Sequence, residues 1–232
     1  KFSEWLDKSN KAIPFVLRGF AGSGKTFLSM KFLKLVENKE LCWTVVAPTH
    51  KAVGVLRLAL EGQGLSPTWY ASTIHRLLRL KLKRKGYIEI CEKTDQTSQS
   101  LDQLDLVLID EASMVDSTLL AILLECAHCG QTRLVFVGDP AQLPPIGESE
   151  SSVFSMQRAT HAELNEVVRH QGPVLELASR IRDGRLQCKA LPCMPIVKTK
   201  LGTVGSLAYI DWLNKAKESL RLAASNDKPD AS

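Results

Sequence analysis

The feature that most constrains this chain is a glycine-rich stretch near its start. Residues 19–26 read Gly-Phe-Ala-Gly-Ser-Gly-Lys-Thr, between an apolar run at 13–17 and a helical pattern at 27–36. A strand, a G-x-x-x-x-G-K-T loop and a helix in this order predict a phosphate-binding loop (P-loop), in which backbone N–H groups and a helix N-terminus surround a polyphosphate. Lys25 supplies a positive charge for the outer phosphates, and the Thr26 hydroxyl is a ligand for Mg²⁺.

Strand and helix patterns alternate along most of the chain. Strands are predicted at 13–18, 41–47, 104–109 and 133–137, and helices at 26–37, 51–61, 73–80, 117–128 and 173–182. The strands are apolar at nearly every position, which is typical of a parallel sheet covered on both faces. We therefore predict an α/β fold with a doubly wound, mainly parallel sheet, whose ligands gather where the strands end.

Two segments depart from this alternation. Residues 79–100 begin with alternating basic and leucine positions and a Lys-Gly turn, which predicts an inserted β-hairpin with a basic face. The basic residues of its first strand are Lys81, Lys83, Arg84 and Lys85. We predict one domain over residues 1–185, which includes the hairpin, and a tail over 186–232 that is a linker or the truncated start of a second domain.

Polar side chains follow two of the predicted strands. Asp110 ends one strand, where it can hold Mg²⁺ directly or through water, and Glu111 is placed to activate an attacking water as a general base. Gln142 follows the next strand in a proline-stiffened loop, and its amide can hydrogen-bond a γ-phosphate. A rigid turn without chemistry is the alternative for this loop. Two carboxylates combined with a P-loop favour hydrolysis over phosphoryl transfer to a metabolite.

Two helix starts carry groups that suit a nucleic-acid phosphate. Thr49 can cap the helix that follows the second strand, while His50 and Lys51 face outward with the exposed N–H groups. Thr73 and His75 repeat this arrangement one helix later. Simple helix capping is the alternative for both sites. The formal net charge of +5 permits a polyanionic partner without requiring one.

The sequence predicts a cytoplasmic protein. No apolar run approaches the roughly 20 residues of a membrane span, and no signal-peptide pattern opens the chain. The spacing of Cys126 and Cys129 is compatible with a zinc site or a redox pair. We expect buried, reduced thiols instead, because both cysteines fall within a predicted helix.

Taken together, these motifs resemble the N-terminal motor domain of superfamily 1 DNA helicases, and within them the 5′→3′ branch typified by phage Dda and by RecD, the exodeoxyribonuclease V alpha subunit. The matching motifs cover residues 13–185. In chain order they are GFAGSGKT (19–26), APTHKA (47–52), STIH (72–75), LIDEASMVD (108–116), GDPAQLPPIG (138–147) and EVVRH (166–170).

The resemblance implies a RecA-like P-loop domain that hydrolyses ATP with Mg²⁺ and acts on single-stranded DNA or a single-strand/double-strand junction. It implies ATP phosphate contacts at Gly22, Ser23, Gly24, Lys25 and Thr26. It implies Mg²⁺ at Thr26 and Asp110, a general base at Glu111, a γ-phosphate sensor at Gln142, and at Arg169 an arginine that reaches the γ-phosphate from across a cleft. It implies DNA contacts at Pro48, Thr49, His50, Lys51, Thr73 and His75, and a duplex-splitting pin at the hairpin with Lys81, Lys83, Arg84 and Lys85.

The chain also departs from the family pattern. The adenine-contacting glutamine upstream of the P-loop has no match, and the motifs of a second motor domain, including its arginine finger, are absent. We therefore expect a fragment of a longer protein that binds Mg·ATP, hydrolyses it weakly and does not unwind DNA alone.

Two other functions stay open at this point. One is a P-loop ATPase that serves DNA repair without unwinding, and the other is a nucleotide-gated DNA-binding module. A GTPase is disfavoured because the sequence has no N-K-x-D signal. Partner subunits of a repair or recombination complex are compatible with the family.

Overall fold

The computed structural model describes residues 1–8, 10–85, 88–165, 197–199 and 202–204. The chain divides into two compact units, Lys1–Arg169 and His170–Ser232. The predicted helix at 173–182 and the predicted boundary after residue 185 lie outside the described residues, so the proposed division into domain and tail stays a prediction.

The first unit alternates strands and helices as the sequence predicts. Its elements are α1 (Phe2–Leu6), β1 (Phe15–Gly19), α2 (Lys25–Glu37), β2 (Trp43–Ala47), α3 (His50–Gly62), β3 (Ser72–Thr73), α4 (Ile74–Leu77), β4 (Lys81–Lys85), β5 (Ile88–Glu92), β6 (Leu106–Ile109), a 3₁₀ turn (Ala112–Met114), α5 (Ser117–Cys129), β7 (Arg133–Gly138) and β8 (Thr160–Leu164). The four predicted strands and three of the predicted helices are present within a few residues of their predicted bounds. The helix predicted at 73–80 is a single turn, and α1, β3 and β8 were not predicted.

Six of these strands form one parallel sheet in the order β3-β2-β6-β7-β1-β8. Leu17 on β1 lies opposite Val137 on β7, and Leu108 on β6 lies between Val135 on β7 and Val45 on β2. The central strands are buried on both faces, which confirms the predicted covered sheet. Because β1, β7 and β6 are neighbours, the loops that follow them meet at one edge of the sheet.

Two apolar clusters cover the faces of the sheet. One cluster contains α1, α2 and α3 and includes the stacked rings of Phe2 and Phe32, whose centroids are 3.9 Å apart. The other is centred on α5 and includes Leu123 and Phe136, both fully buried. Helices on both faces confirm the doubly wound arrangement. None of the helices in the described part of the chain is long and apolar enough to cross a bilayer.

The predicted hairpin is present as the antiparallel pair of β4 and β5, with Lys81 opposite Glu92 and Lys83 opposite Ile90. Lys81 and Lys83 are exposed. The Lys83 ammonium forms an ion pair with Glu92 across the hairpin, at 2.5 Å. The neighbouring strand thus partly neutralises the charge on the predicted basic face. Arg84 also lies on β4.

The described residues of the second unit form a short antiparallel pair. Its strands are β9 (Val197–Thr199) and β10 (Gly202–Val204), with Thr203 opposite Lys198.

Candidate functional site

The P-loop makes a tight turn between β1 and α2 that depends on glycine. Gly22 and Gly24 have φ values of +80° and +89°, a region that other residues rarely adopt. At Gly19 a side chain would clash, because its Cβ would lie 2.5 Å from the Ser23 Oγ and 3.0 Å from the Leu164 Cβ. The sequence therefore fixes both the curvature of the loop and its close packing against β8.

Lys25 is the first residue of α2, and its ammonium stays beside the loop. It donates hydrogen bonds to the carbonyl oxygens of Gly19 at 2.7 Å and Phe20 at 3.0 Å. Ser23 is buried, and its Oγ has no hydrogen-bond partner among the described residues. The Ser23 side chain does not line the cavity beside the P-loop, which is described next. We therefore expect Ser23 to bind phosphate through its backbone N–H.

One cavity of about 430 Å³ brings together most of the residues that the sequence assigned to ATP, without Ser23. Its polar lining comes from three loops, which follow β1, β6 and β7. These residues are Gly22, Gly24, Lys25, Thr26, Asp110, Glu111 and Gln142. Phe27 and Val55 add apolar surface and are 64% and 57% exposed. Charged groups at the loops and apolar groups at the rim suit a ligand with a polyphosphate and an aromatic part.

The Asp110 carboxyl is held in a way that suits a cation. Its backbone N–H donates to the Val46 carbonyl at 2.9 Å, and its Oδ1 accepts the Glu111 N–H at 2.9 Å. Burial raises the pKa of this carboxyl above its ordinary value, and the neighbouring Glu111 charge adds to the rise. The N–H donated by Glu111 and the Lys25 ammonium lower the same pKa without cancelling the effect of burial. A divalent cation held by Asp110 and Thr26 would offset the cost of the buried charge, so the residues fit Mg²⁺.

Glu111 has a strained backbone at the point where the chain enters the cavity. Its φ and ψ are 52° and 42°, the left-handed conformation, which costs a residue other than glycine roughly 1–2 kcal/mol. This conformation turns the chain directly after β6, and the Glu111 side chain lines the cavity. Strain of this kind is concentrated at functional sites, where surrounding structure maintains it.

We predict that Asp110→Asn raises the melting temperature of the metal-free chain at neutral pH. Because the folded state has the higher pKa, it binds more protons than the unfolded state between the two values, so this group makes stability fall as pH rises. In the variant this decrease of stability with rising pH should be absent, and Mg²⁺ should no longer stabilise the fold. Thermal melts from about pH 4 to about pH 8 test this. Asp102→Asn, at an exposed carboxyl, is the matched control, and equal pH slopes for Asp110→Asn and wild type would contradict the prediction.

Asp139 is a site residue that sequence reasoning missed. It is 4% exposed, and its Oδ2 accepts the Ala21 N–H of the P-loop at 2.9 Å while its Oδ1 accepts the Ala141 N–H at 2.9 Å. Its carbonyl accepts the Gln142 N–H at 3.1 Å. One buried carboxylate therefore ties the P-loop to the loop that carries Gln142. The available signal was an acidic residue placed directly after the run Leu-Val-Phe-Val-Gly at 134–138, which has no polar side chain.

Asp139→Asn is expected to lower the free energy of unfolding by about 1–3 kcal/mol. An amide keeps one acceptor oxygen and turns an N–H₂ group toward the other donor, so one of the two N–H groups loses its partner and faces a second donor beside the buried side chain. Nucleotide affinity should fall with it, because the P-loop and the Gln142 loop lose their shared anchor. Urea unfolding, with and without nucleotide, measures both effects. A change below about 0.5 kcal/mol, as for an ordinary surface substitution, would contradict this role.

The two predicted DNA-binding threonines both cap helices. The Thr49 hydroxyl accepts the Ala52 N–H at 3.2 Å at the start of α3, and the Thr73 hydroxyl accepts the Arg76 N–H at 3.3 Å at the start of α4. This is the capping that the sequence offered as the alternative. It does not exclude phosphate binding, since each hydroxyl keeps a donor.

The other predicted DNA-binding residues lie beside these caps. His50 and Lys51 are exposed, and Pro48 and His75 are half-buried. They follow β2 and β3, which lie beyond β6 from the ATP cavity. In the strand order, the predicted DNA contacts after β2 and β3 are therefore separated from the P-loop after β1, and the Asp110–Glu111 pair after β6 lies between them. Arg169 lies outside the described residues, so its predicted role stays a prediction.

Comparison with known proteins agrees with this arrangement. The AAA domain family matches residues 8–194. The ATP-dependent DNA helicase Dda of Enterobacteria phage T4 is 30% identical over 175 residues, which cover 73% of this chain and 38% of Dda. The ATP-dependent RecD2 DNA helicase of Deinococcus radiodurans is 30% identical over 173 residues, which cover 73% of this chain and 22% of RecD2. The chain therefore spans well under half the length of these relatives.

Solved structures share the fold. A crystal structure of Pif1 helicase from Candida albicans has a TM-score of 0.54 at 22% identity, over 81% of this chain and 44% of that one. Pif1 from Bacteroides bound to single-stranded DNA has a TM-score of 0.51 at 21% identity, over 80% of this chain and 46% of that one. The fold is therefore the RecA-like domain that the motifs imply. The match over residues 8–194 establishes that the chain belongs to the AAA domain family, with the Dda and RecD2 helicases among its relatives.

Proposed function

We propose that this chain is the ATP-binding motor domain of a DNA helicase or translocase that moves 5′→3′ along single-stranded DNA. The observation that carries the proposal is the cavity in which the P-loop, the Asp110–Glu111 pair and Gln142 meet. A phosphate-binding loop, a metal-binding carboxylate and a candidate base around one space are what ATP hydrolysis needs. The sequence relatives named as ATP-dependent DNA helicases supply the choice of DNA as the partner.

In this function each side chain acts on one part of the reaction. Glu111 accepts a proton from the attacking water, and Gln142 hydrogen-bonds the γ-phosphate. Lys25 neutralises charge on the outer phosphates as the bond to the leaving group breaks. Thr26 and Asp110 would hold Mg²⁺, which neutralises negative charge on the β- and γ-phosphate oxygens.

The DNA contacts complete the proposal. Residues 48–51 together with Thr73 and His75 bind the phosphates of the single strand, and the hairpin of β4 and β5 separates the duplex ahead of it. Arg169 would reach the γ-phosphate from the far side of a cleft. Cys126 is buried as predicted, whereas Cys129, the last residue of α5, is exposed, so the expectation of a buried thiol there is wrong. Both thiols are free, which fits the cytoplasmic compartment that the sequence predicts.

The test is ATP hydrolysis by the full-length protein with and without oligo-dT. We expect strong stimulation by the oligonucleotide, and weak hydrolysis without unwinding for residues 1–232 alone. Hydrolysis that ignores DNA would favour a P-loop ATPase with another task. Binding of nucleotide and DNA without any hydrolysis would favour the nucleotide-gated binding module. Strand separation by residues 1–232 alone would contradict the expected need for further residues of the protein.

A further inference from the structure

A second concave surface lies at the β3 edge of the sheet and encloses about 640 Å³. We call it the edge groove. It is lined chiefly by Arg57, Glu61, Trp69, Tyr70, Arg76 and Arg79. None of these residues has a part in the ATP cavity or among the DNA contacts proposed above.

The edge groove carries excess positive charge. Its lining holds three arginines and a single carboxylate, Glu61. Arg57 is fixed in place, because its Nε and Nη2 both donate to the Ala71 carbonyl, at 3.2 Å and 2.7 Å. Arg79 donates from Nη1 to the Gln96 Oε1 at 2.8 Å. In the part of the chain that the structure describes, none of the three arginines forms an ion pair, so their charge is available to an anionic ligand.

Tyr70 presents an unpacked aromatic ring on an anchored backbone. The residue is 91% exposed, which is unusual for a ring of this size. The residues on either side are held, because the Trp69 carbonyl accepts the Thr44 hydroxyl at 2.8 Å and the Ala71 carbonyl accepts Arg57. A ring on a rigid support is a surface on which a planar group can stack at low cost in conformational entropy.

We propose that the edge groove binds one or two nucleotides of the single strand, with an unpaired base stacked on Tyr70 and its phosphates held by Arg76 and Arg79. Arg76 directly follows His75, so the groove continues the proposed line of DNA contacts outward from β3. Stacking on a side-chain ring requires a base that is free of its partner strand, which selects a single strand over a duplex. This inference rests on the proposed function and adds a DNA subsite to it.

The experiment is fluorescence anisotropy of residues 1–232 with labelled oligo-dT across a range of salt concentrations. Tyr70→Ala is expected to weaken binding about tenfold, whereas Tyr70→Phe, which keeps the ring, should bind like wild type. The double variant Arg76→Gln/Arg79→Gln should have a flatter slope of log affinity against log salt concentration, by about 0.7 per arginine. Arg158→Gln removes an exposed charge just before β8, at the other end of the sheet order, and should leave the slope unchanged.

The outcomes separate this inference from the proposed function. If wild type binds oligo-dT, and Tyr70→Ala and the double arginine variant bind it with the same affinity, the edge groove is not a DNA subsite. If the arginine pair weakens binding of a blunt duplex and Tyr70→Ala has no effect, the groove binds a double strand and the inference is wrong. If wild type binds no DNA at all, both the proposed function and the DNA subsite in the edge groove are wrong. Binding of a fluorescent ATP analogue should be equal in all variants, which checks that they fold.

Discussion

Glu111→Gln is expected to lower ATP hydrolysis by the full-length protein by about 10²–10⁴-fold while leaving nucleotide binding intact. The substitution keeps the size of the side chain and its place in the cavity, and it removes the group that accepts a proton from water. Because binding and chemistry are thereby separated, the variant should still show stabilisation by Mg·ATP in a thermal melt. Single-turnover hydrolysis with labelled ATP measures the chemical step directly.

Glu150→Gln is the matched control for this prediction, since Glu150 is an exposed carboxylate outside the cavity. It should hydrolyse ATP at the wild-type rate. If the Glu111→Gln variant keeps more than about a tenth of the wild-type rate, Glu111 is not the general base. Loss of nucleotide binding in the same variant would show instead that the substitution disturbs the strained turn after β6.

Lys25→Ala is expected to weaken ATP binding by about 10- to 100-fold and to abolish measurable hydrolysis. A hydrogen bond to a charged group contributes about 1.5–3 kcal/mol, and among the described residues Lys25 is the one lysine that lines the cavity. The alanine variant also loses the two bonds from the ammonium to the Gly19 and Phe20 carbonyls, so the loop itself should loosen. Titration with a fluorescent ATP analogue gives the change in affinity.

Lys31→Ala provides the comparison on the same helix. Lys31 is exposed on α2, and its ammonium lies 5.3 Å from the centre of the Phe27 ring. Its removal deletes the same charge from the same helix, outside the cavity lining, and should change ATP affinity less than twofold. Equal losses in the two variants would mean that the Lys25 effect is one of overall charge, and would contradict a specific contact with phosphate.

Much of the fold and of the ATP site could be predicted because the signals are local. The four predicted strands are short apolar runs, and buried strands of parallel sheets have that composition. The starts of α3 and α5 follow from their caps, since Thr49 accepts the Ala52 N–H and Asp116 accepts the Leu119 N–H at 2.7 Å. The P-loop, Asp110, Glu111 and Gln142 follow strands that the fold class places side by side.

The helix predicted at 73–80 was too long because its stop signal is unusual. The Arg79 N–H donates to the Arg76 carbonyl and the Leu80 N–H to the His75 carbonyl, the bond pattern of a Schellman motif. The left-handed residue of that motif is normally glycine, but here it is Arg79, with a φ of +53°. A sequence pattern that looks for glycine cannot find this end.

Other features depend on contacts between distant residues. Asp139 reaches the Ala21 N–H, which lies 118 residues earlier in the chain. β8 reads Thr-His-Ala-Glu-Leu and is only partly buried, so its sequence lacks the apolar run that marks the inner strands. It is a strand because it pairs with β1 at the sheet edge, and no local pattern specifies that pairing.

The order of strands has a consequence for how two very different ligands can share one domain. The P-loop follows β1, which has neighbours on both sides, whereas the proposed DNA contacts follow β2 and β3, and β3 is an outer strand. A nucleotide is small and can sit in an enclosed space, but a polymer of indefinite length must pass the protein along an open border. In the proposed function the DNA strand moves along the open sheet edge at β3 and does not cross the nucleotide site. The bond from the Asp110 N–H to the Val46 carbonyl links the loop after β6 to β2, two residues before the first of the proposed DNA contacts, Pro48.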